Sequence, residues 1–363
     1  MGKVRSILGM TALAAVAAAS MAVAQDKPAA PARPTFDADG TVNVPAFKLP
    51  PSPFLSPEAL ALQKMRAAMP PPPIGPELDI AKARAGVEAM MGRGVGAMRE
   101  RYPVDVADQT IAGVPTRVVT PKDKPFDRER VLINVHGGGF TMCADACAML
   151  ESIPISSLGA WKVVTVNYRM GPEAKHPAAV EDVEKVYREL LKTYKPQHIG
   201  LYGCSAGGAL TAQAAAWMPQ HGLPQFAAIG IFGAGAVRFG AGDSAYVTGH
   251  TDGSFPAPPL PPAQPMDITR GYFSGADMRD SVISPALHPD VLAKFPPTLL
   301  ITGGRAMDMT PAIYTNSQLL KAKVRSTLIV GEGMGHCYIY QSNLPEARDA
   351  YDVIVRFFQE NLK

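Results

Sequence analysis

From Tyr102 onward the chain alternates short β-branched runs with stretches of helical periodicity, and nothing else in it restricts the possible folds so strongly. The runs are "TRVVT", "RVLINV", "KVVTVNY", "HIGLYG", "FAAIGIFG", "TLLITG" and "STLIVG". Several are apolar throughout, as strands covered on both faces are. Between them, "AAVEDVEKVYRELLKTY" sets Val180, Val183, Val186 (or Tyr187) and Leu190 along one helical face. "PEARDAYDVIVRFFQENL" does the same with Ala347, Tyr351, Ile354 and Phe358. Strands alternating with helices predict an α/β fold, a mostly parallel central sheet flanked by helices. With 363 residues, 47% of them hydrophobic, the chain can bury a sizeable core. One stretch, about 237–285, breaks the rhythm with Pro, Gly and Asp and reads as an irregular insertion, often a lid or binding loop.

The N-terminal part is different. Residues 1–24 carry Lys3 and Arg5, then an apolar run, then Ala22-Val23-Ala24. That is the layout of a signal peptide cleaved after Ala24, and it predicts a secreted or periplasmic protein. An uncleaved anchor is the competing reading, because the run is nearly long enough to span a bilayer. After cleavage no stable membrane span is expected. Loss of Lys3 and Arg5 takes the formal charge from +3 to +1. A nearly neutral protein carries no electrostatic footprint for nucleic acid. Prolines crowd the next region, so residues 25–52 read as an extended linker. Two helices fit within 53–100. One opens with Ser56 as N-cap and Pro57 at the first helical position, with Leu62, Met65 and Met69 on one face. The other runs from Glu77 to about Met91, before the glycine-rich "MGRGVGAM". Residues 101–363 form the main domain. Oligomeric state leaves no trace in the sequence.

Two motifs carry chemistry. "LYGCSAGG" follows a predicted strand and precedes the helical "ALTAQAAAWM", and this strand–turn–helix context makes Ser205 a candidate nucleophile on a tight elbow. "NVHGGGF" follows "RVLINV", and its glycines can turn backbone amides toward a developing oxyanion. Gly137, Gly138 and the amide of Ala206 are the expected donors, with His136 bracing the loop. A base is also needed. His336, in a loop after the last strand and before the last helix, has the required place; His176, His198, His221, His250 and His288 do not. Cys143, Cys147, Cys204 and Cys337 permit three full pairings, and spacing selects none. Cys143 and Cys147 lack the second pair a metal site would want, so buried thiols are the default and no metal or cofactor is expected.

Together "HGGGF", "YRMGPEAKHPAAVEDV", "GCSAGG", "FSGADMRDSVISP" and "GMGHCY" resemble the hormone-sensitive-lipase-like (HGGG-type) branch of the α/β-hydrolases. The resemblance covers roughly Tyr102 to the C-terminus. It implies an α/β-hydrolase fold with a small helical or loop cap that includes the N-terminal helices. It implies a serine carboxylesterase for esters of short to medium acyl chains. Tyr168, Arg169, Pro172 and Glu173, ahead of the helix carrying Asp182, match residues that support the site in that branch. Two departures stand out. The aspartate usual before the nucleophile is Cys204 here, a change of packing unless that thiol itself reacts. The triad acid falls in many members where this chain has Ala306; Asp308 stands two residues later, and Glu332 is a fallback. An amidase, or a non-catalytic ligand-binding protein on the same scaffold, are the other readings.

Overall fold

A computed structural model of the protein describes residues 33–68, 79–122, 124–249, 251, 258–260, 263 and 267–363. The expected signal peptide, together with Met69, Glu77 and His250, lies outside the described residues. The chain divides into two units, residues 1–50 and 51–363. In the first, the expected linker contains a short antiparallel hairpin, β1 (Thr35–Phe36) with β2 (Val42–Asn43). Asp37 organises its turn, accepting from Gly40 N–H at 3.0 Å and from the Asn43 amide at 2.9 Å.

The second unit opens with two helices. Ser56 caps α1 (Pro57–Ala67), its hydroxyl accepting from Ala59 N–H at 3.1 Å. Helix α2 (Ile80–Arg101) does not stop at Met91 but runs on through Gly92, Gly94 and Gly96. Each glycine costs a helix about 1 kcal/mol. Packing offsets it: a Cβ at Gly94 would sit 3.3 Å from the Leu150 side chain, and Met91, Val95 and Met98 join the core beneath.

Eight strands of the described residues then build one sheet. They are β3 (Val104–Ile111), β4 (Val114–Pro121), β5 (Asp127–Val135), β6 (Trp161–Val166), β7 (Ile199–Cys204), β8 (Ala228–Phe232), β9 (Thr298–Gly303) and β10 (Ser326–Gly331). Their order is β10-β9-β8-β7-β5-β6-β4-β3. All neighbours are parallel except β4, which runs against β6 and β3. Strand β3 has mostly polar, exposed residues and no apolar run to betray it; it exists by hairpin pairing with β4. Ala112 and Gly113 both take positive φ in the turn between them, as I′-type hairpin turns require.

The other helices are α3 (Ala146–Gly159), α4 (Ala178–Leu190), α5 (Ala206–Gln220), α6 (Ser244–Val247), α7 (Pro289–Leu292) and α8 (Met309–Lys321) between strands, and α9 (Pro345–Asn361) after the last of them. One face of the sheet packs on α4, α5 and α8 through residues such as Ile133, Val183, Leu210 and Leu319. The other packs on α2, α3 and α9 through Leu132, Met98, Ile153 and Phe358. The predicted faces of α4 and α9 are the buried ones. The fold is an α/β-hydrolase fold. No helix among the described residues is long and apolar enough to cross a membrane.

Candidate active site

Ser205 sits between β7 and α5 with φ 60° and ψ −122°, a region that non-glycine residues rarely occupy. Close packing of helix on strand forces this turn. A Cβ at Gly203 would lie 2.1 Å from Val135 O, and one at Gly207 would lie 1.8 Å from the same oxygen. Only glycine fits at either position, which is why the serine is flanked by them. The Ser205 N–H is held by Phe232 O at 2.8 Å, so the hydroxyl is the part of the residue left to act.

That hydroxyl lies 2.9 Å from His336 Nε2, and His336 Nδ1 lies 2.6 Å from Asp308 Oδ1. Asp308 is fully buried ahead of α8, and its other oxygen accepts from the Thr302 hydroxyl at 2.5 Å. A carboxylate only accepts, so the imidazole proton belongs on Nδ1 and Nε2, unprotonated, can accept the serine proton. Ala306 is buried and offers nothing, while Glu332 is exposed. The loop after β9 thus sets Asp308, two residues beyond Ala306, against the imidazole.

The glycine loop departs from expectation at one point. Gly137 gives its N–H to Glu151 Oε1 at 2.9 Å, so that amide faces the protein interior and is unavailable to an oxyanion. Among the described residues, no acceptor meets the amides of Gly138, Gly139 or Ala206. The loop lies against the nucleophile: a Cβ at Gly137 would come 3.3 Å from Ser205 Cβ. His136 is buried, stacked on Tyr168 with centroids 4.3 Å apart, and its Nδ1 is 2.7 Å from Gly137 O. Burial pulls its pKa down to about 4, so it stays neutral and braces the loop. The Tyr168 hydroxyl donates to His136 O at 2.7 Å. Arg169 pairs with Asp182 at 2.8 Å. Phe140, next in the loop, stacks on Tyr272 of the irregular insertion at 4.9 Å.

Glu151 is the residue that sequence reasoning missed. It accepts from Gly137 N–H and the Tyr340 hydroxyl on one oxygen, and from Asn134 (2.7 Å) and Cys204 N–H (3.1 Å) on the other. One buried carboxylate therefore ties the glycine loop, the elbow and the segment after His336. Its only sequence signal was a lone acid in the apolar "ACAMLESIPISSLG". The cysteines also resolve. Cys143 pairs with Cys147, and Cys204 with Cys337, so Cys204 holds no free thiol to react.

The N-terminal helices reach the same region. Arg84 of α2 donates to Thr141 O and Gly171 O and pairs with Glu173 at 2.7 Å. Gln63 of α1 donates to Gly333 O at 2.8 Å, in the loop that carries His336.

Comparison with known proteins places the fold. A family profile described as alpha/beta hydrolase fold matches residues 132–340. Versiconal hemiacetal acetate esterase of Emericella nidulans is 30% identical over 36% of this chain and 47% of its own. An acetyl-hydrolase of Streptomyces hygroscopicus is 30% identical over 63% of this chain and 75% of its own. This chain thus spans about half the length of the first relative and three quarters of the second. The crystal structure of an esterase from the bacterial hormone-sensitive lipase family shares the fold, with a TM-score of 0.71 and 24% identity over 84% of this chain and 97% of that one. The chain belongs to the α/β-hydrolase family.

Proposed function

We propose that this protein is a serine carboxylesterase for small esters of short to medium acyl chains. The observation that carries the reading is the unbroken hydrogen-bonded chain Ser205–His336–Asp308, with donor-only amides beside it. Ser205 Oγ attacks the ester carbonyl while His336 Nε2 takes its proton. Asp308 fixes the imidazole tautomer and stabilises the imidazolium. Gly138, Gly139 and Ala206 donate to the tetrahedral oxyanion, and the start of α5 adds its positive end. His336 then protonates the departing alkoxide, and an acyl-serine remains. Water, deprotonated by the same imidazole, releases the carboxylic acid and restores Ser205. The names of the two relatives, an acetyl-hydrolase and an acetate esterase, favour the short end of the acyl range. Helices α1 and α2, tethered at both catalytic loops, serve as part of a cap. Export to a secreted or periplasmic location fits the leader-like N-terminus and the two cysteine pairs, which an oxidising compartment maintains.

The test is Ser205→Ala assayed on nitrophenyl esters of rising chain length, with mass spectrometry of the wild type after an organophosphorus probe. The variant should be inactive and folded, and the label should sit on Ser205. Retained turnover, or a label elsewhere, would refute the assignment.

A further inference from the structure

Cys204 immediately precedes the nucleophile and Cys337 immediately follows the base, and a disulfide joins them across a sequence separation of 133. Resting on the esterase reading above, we propose that Cys204 and Cys337 are positioning residues for acyl transfer, their bond fixing how Ser205 and His336 face each other.

Three observations meet at this bridge. First, it touches the reacting imidazole. Cys337 Sγ lies 3.7 Å from His336 Nε2, the atom that receives the serine proton. Second, the sheet makes room for it there. A Cβ at Gly233, just after β8, would stand 2.7 Å from Cys337 Sγ, 3.0 Å from Cys204 Sγ and 3.3 Å from His336 Cε1. A glycine floor therefore lets both sulfurs and the imidazole edge settle on the same spot, while the Phe239 ring meets His336 edge-on at 5.4 Å. Third, the backbone is unfavourable at both ends of the contact. Ser205 has φ 60° and Cys337 has φ 47°, positions that non-glycine residues rarely adopt and that persist only where the surroundings impose them. A covalent link between these neighbouring positions is such an imposition. The bridge is also buried, Cys204 completely and Cys337 nearly so, which places it inside the catalytic apparatus rather than on the surface. The other disulfide, Cys143–Cys147, spans a separation of only four at the start of α3 and serves as an internal control.

The distinction from a merely stabilising crosslink is kinetic. A crosslink that only stabilises changes how much enzyme is folded. A positioning crosslink changes the rate of each folded molecule, because hydrogen transfer between Ser205 and His336 depends steeply on their geometry.

The experiment compares wild type, Cys204→Ala/Cys337→Ala and Cys143→Ala/Cys147→Ala with nitrophenyl acetate, active sites being counted by organophosphorus titration. A parallel arm treats the wild type with dithiothreitol. That dithiol breaks the S–S bond, delivers one hydrogen to each sulfur and leaves as its own cyclic disulfide. Alkylation and peptide mapping then report which bridge has opened. Loss of the Cys204–Cys337 bridge should lower kcat per titrated site at least tenfold, leave KM within about threefold, and slow phosphylation of Ser205 in the same proportion. Reoxidation should restore the rate, and the Cys143–Cys147 control should stay near wild type. Unchanged kcat per site without the bridge overturns the proposal, as does a loss of activity that matches only the loss of folded protein. Free thiols at Cys204 and Cys337 in the active, exported enzyme overturn it too. If Ser205→Ala itself retains turnover, the esterase reading fails; if that variant is inactive while bridge-free enzyme is as fast as wild type, this inference alone fails.

Discussion

Replacing Glu151 with glutamine separates two forces that act on one buried carboxyl. Burial raises its pKa from the ordinary 4.5 to about 7, and hydrogen bonds from Tyr340, Asn134, Gly137 and Cys204 oppose the rise without cancelling it. A carboxyl whose folded pKa is raised contributes stability that is complete below about 4.5 and is lost as pH climbs through 7. At ~1.4 kcal/mol per pH unit, the rise is worth about 3 kcal/mol. Glu151→Gln has no such titration, whereas every other group titrates alike in both proteins. Wild-type stability minus variant stability should therefore grow by about 3 kcal/mol as pH falls from 8 to 4.5, most of it between 7 and 5. Beneath this lies a pH-independent cost. Glutamine keeps one acceptor oxygen and turns the other corner into a donor facing two donors. Two buried polar hydrogens lose their acceptor, at about 1–3 kcal/mol each. The assay is the denaturant midpoint of both proteins at pH 8, 7, 6 and 5. A constant difference, or one that shrinks in acid, would show that the four donors outweigh burial and would refute the reasoning. Turnover should fall ten- to hundredfold in the variant, since the glycine loop and the elbow share this anchor.

Asp308→Asn should keep the fold and cut kcat by about three to four orders of magnitude, as loss of the tautomer-fixing carboxylate does in triads of this kind; Glu332→Gln should stay within a few-fold of wild type on the same ester. The exported protein should begin at Gln25, which N-terminal sequencing of periplasmic material checks; Met1 retained in the membrane fraction would favour an anchor.

The parts of the site that were legible in the sequence are those set by local geometry. Ser205 announced itself because helix-on-strand packing admits only glycine at Gly203 and Gly207. His336 was legible from its place after the last strand. The candidate acid was harder, since which carboxylate meets His336 depends on how the loop from Gly304 to Asp308 folds, and residue spacing alone left Glu332 in contention. Gly137 misled for a physical reason. Its amide direction is set by Glu151, which lies on a helix, α3, that no periodicity marked because its residues are buried nearly all round. Strand β3 escaped for the opposite reason: it lies at the sheet edge with most side chains in water, so no apolar run was needed. The continuation of α2 through its glycines was likewise a tertiary effect.

The anchoring of α1 bears on when this fold can close. Ser56, at the start of the helix, donates its N–H and its hydroxyl to Glu346 at 2.8 and 3.0 Å, and Gln63 reaches Gly333. The first helix of the main unit is thus seated on segments near the end of the chain. A chain emerging N-terminus first holds α1 without these partners until Gly333 and Glu346 have been made. Closing a loop of 290 residues is entropically slow to be rewarded, and apolar surface stays exposed meanwhile. Vectorial synthesis therefore confronts this protein with a late-closing seam, where holding factors have the most to protect and where truncation ahead of Gly333 leaves α1 without the seat formed by Gly333 and Glu346.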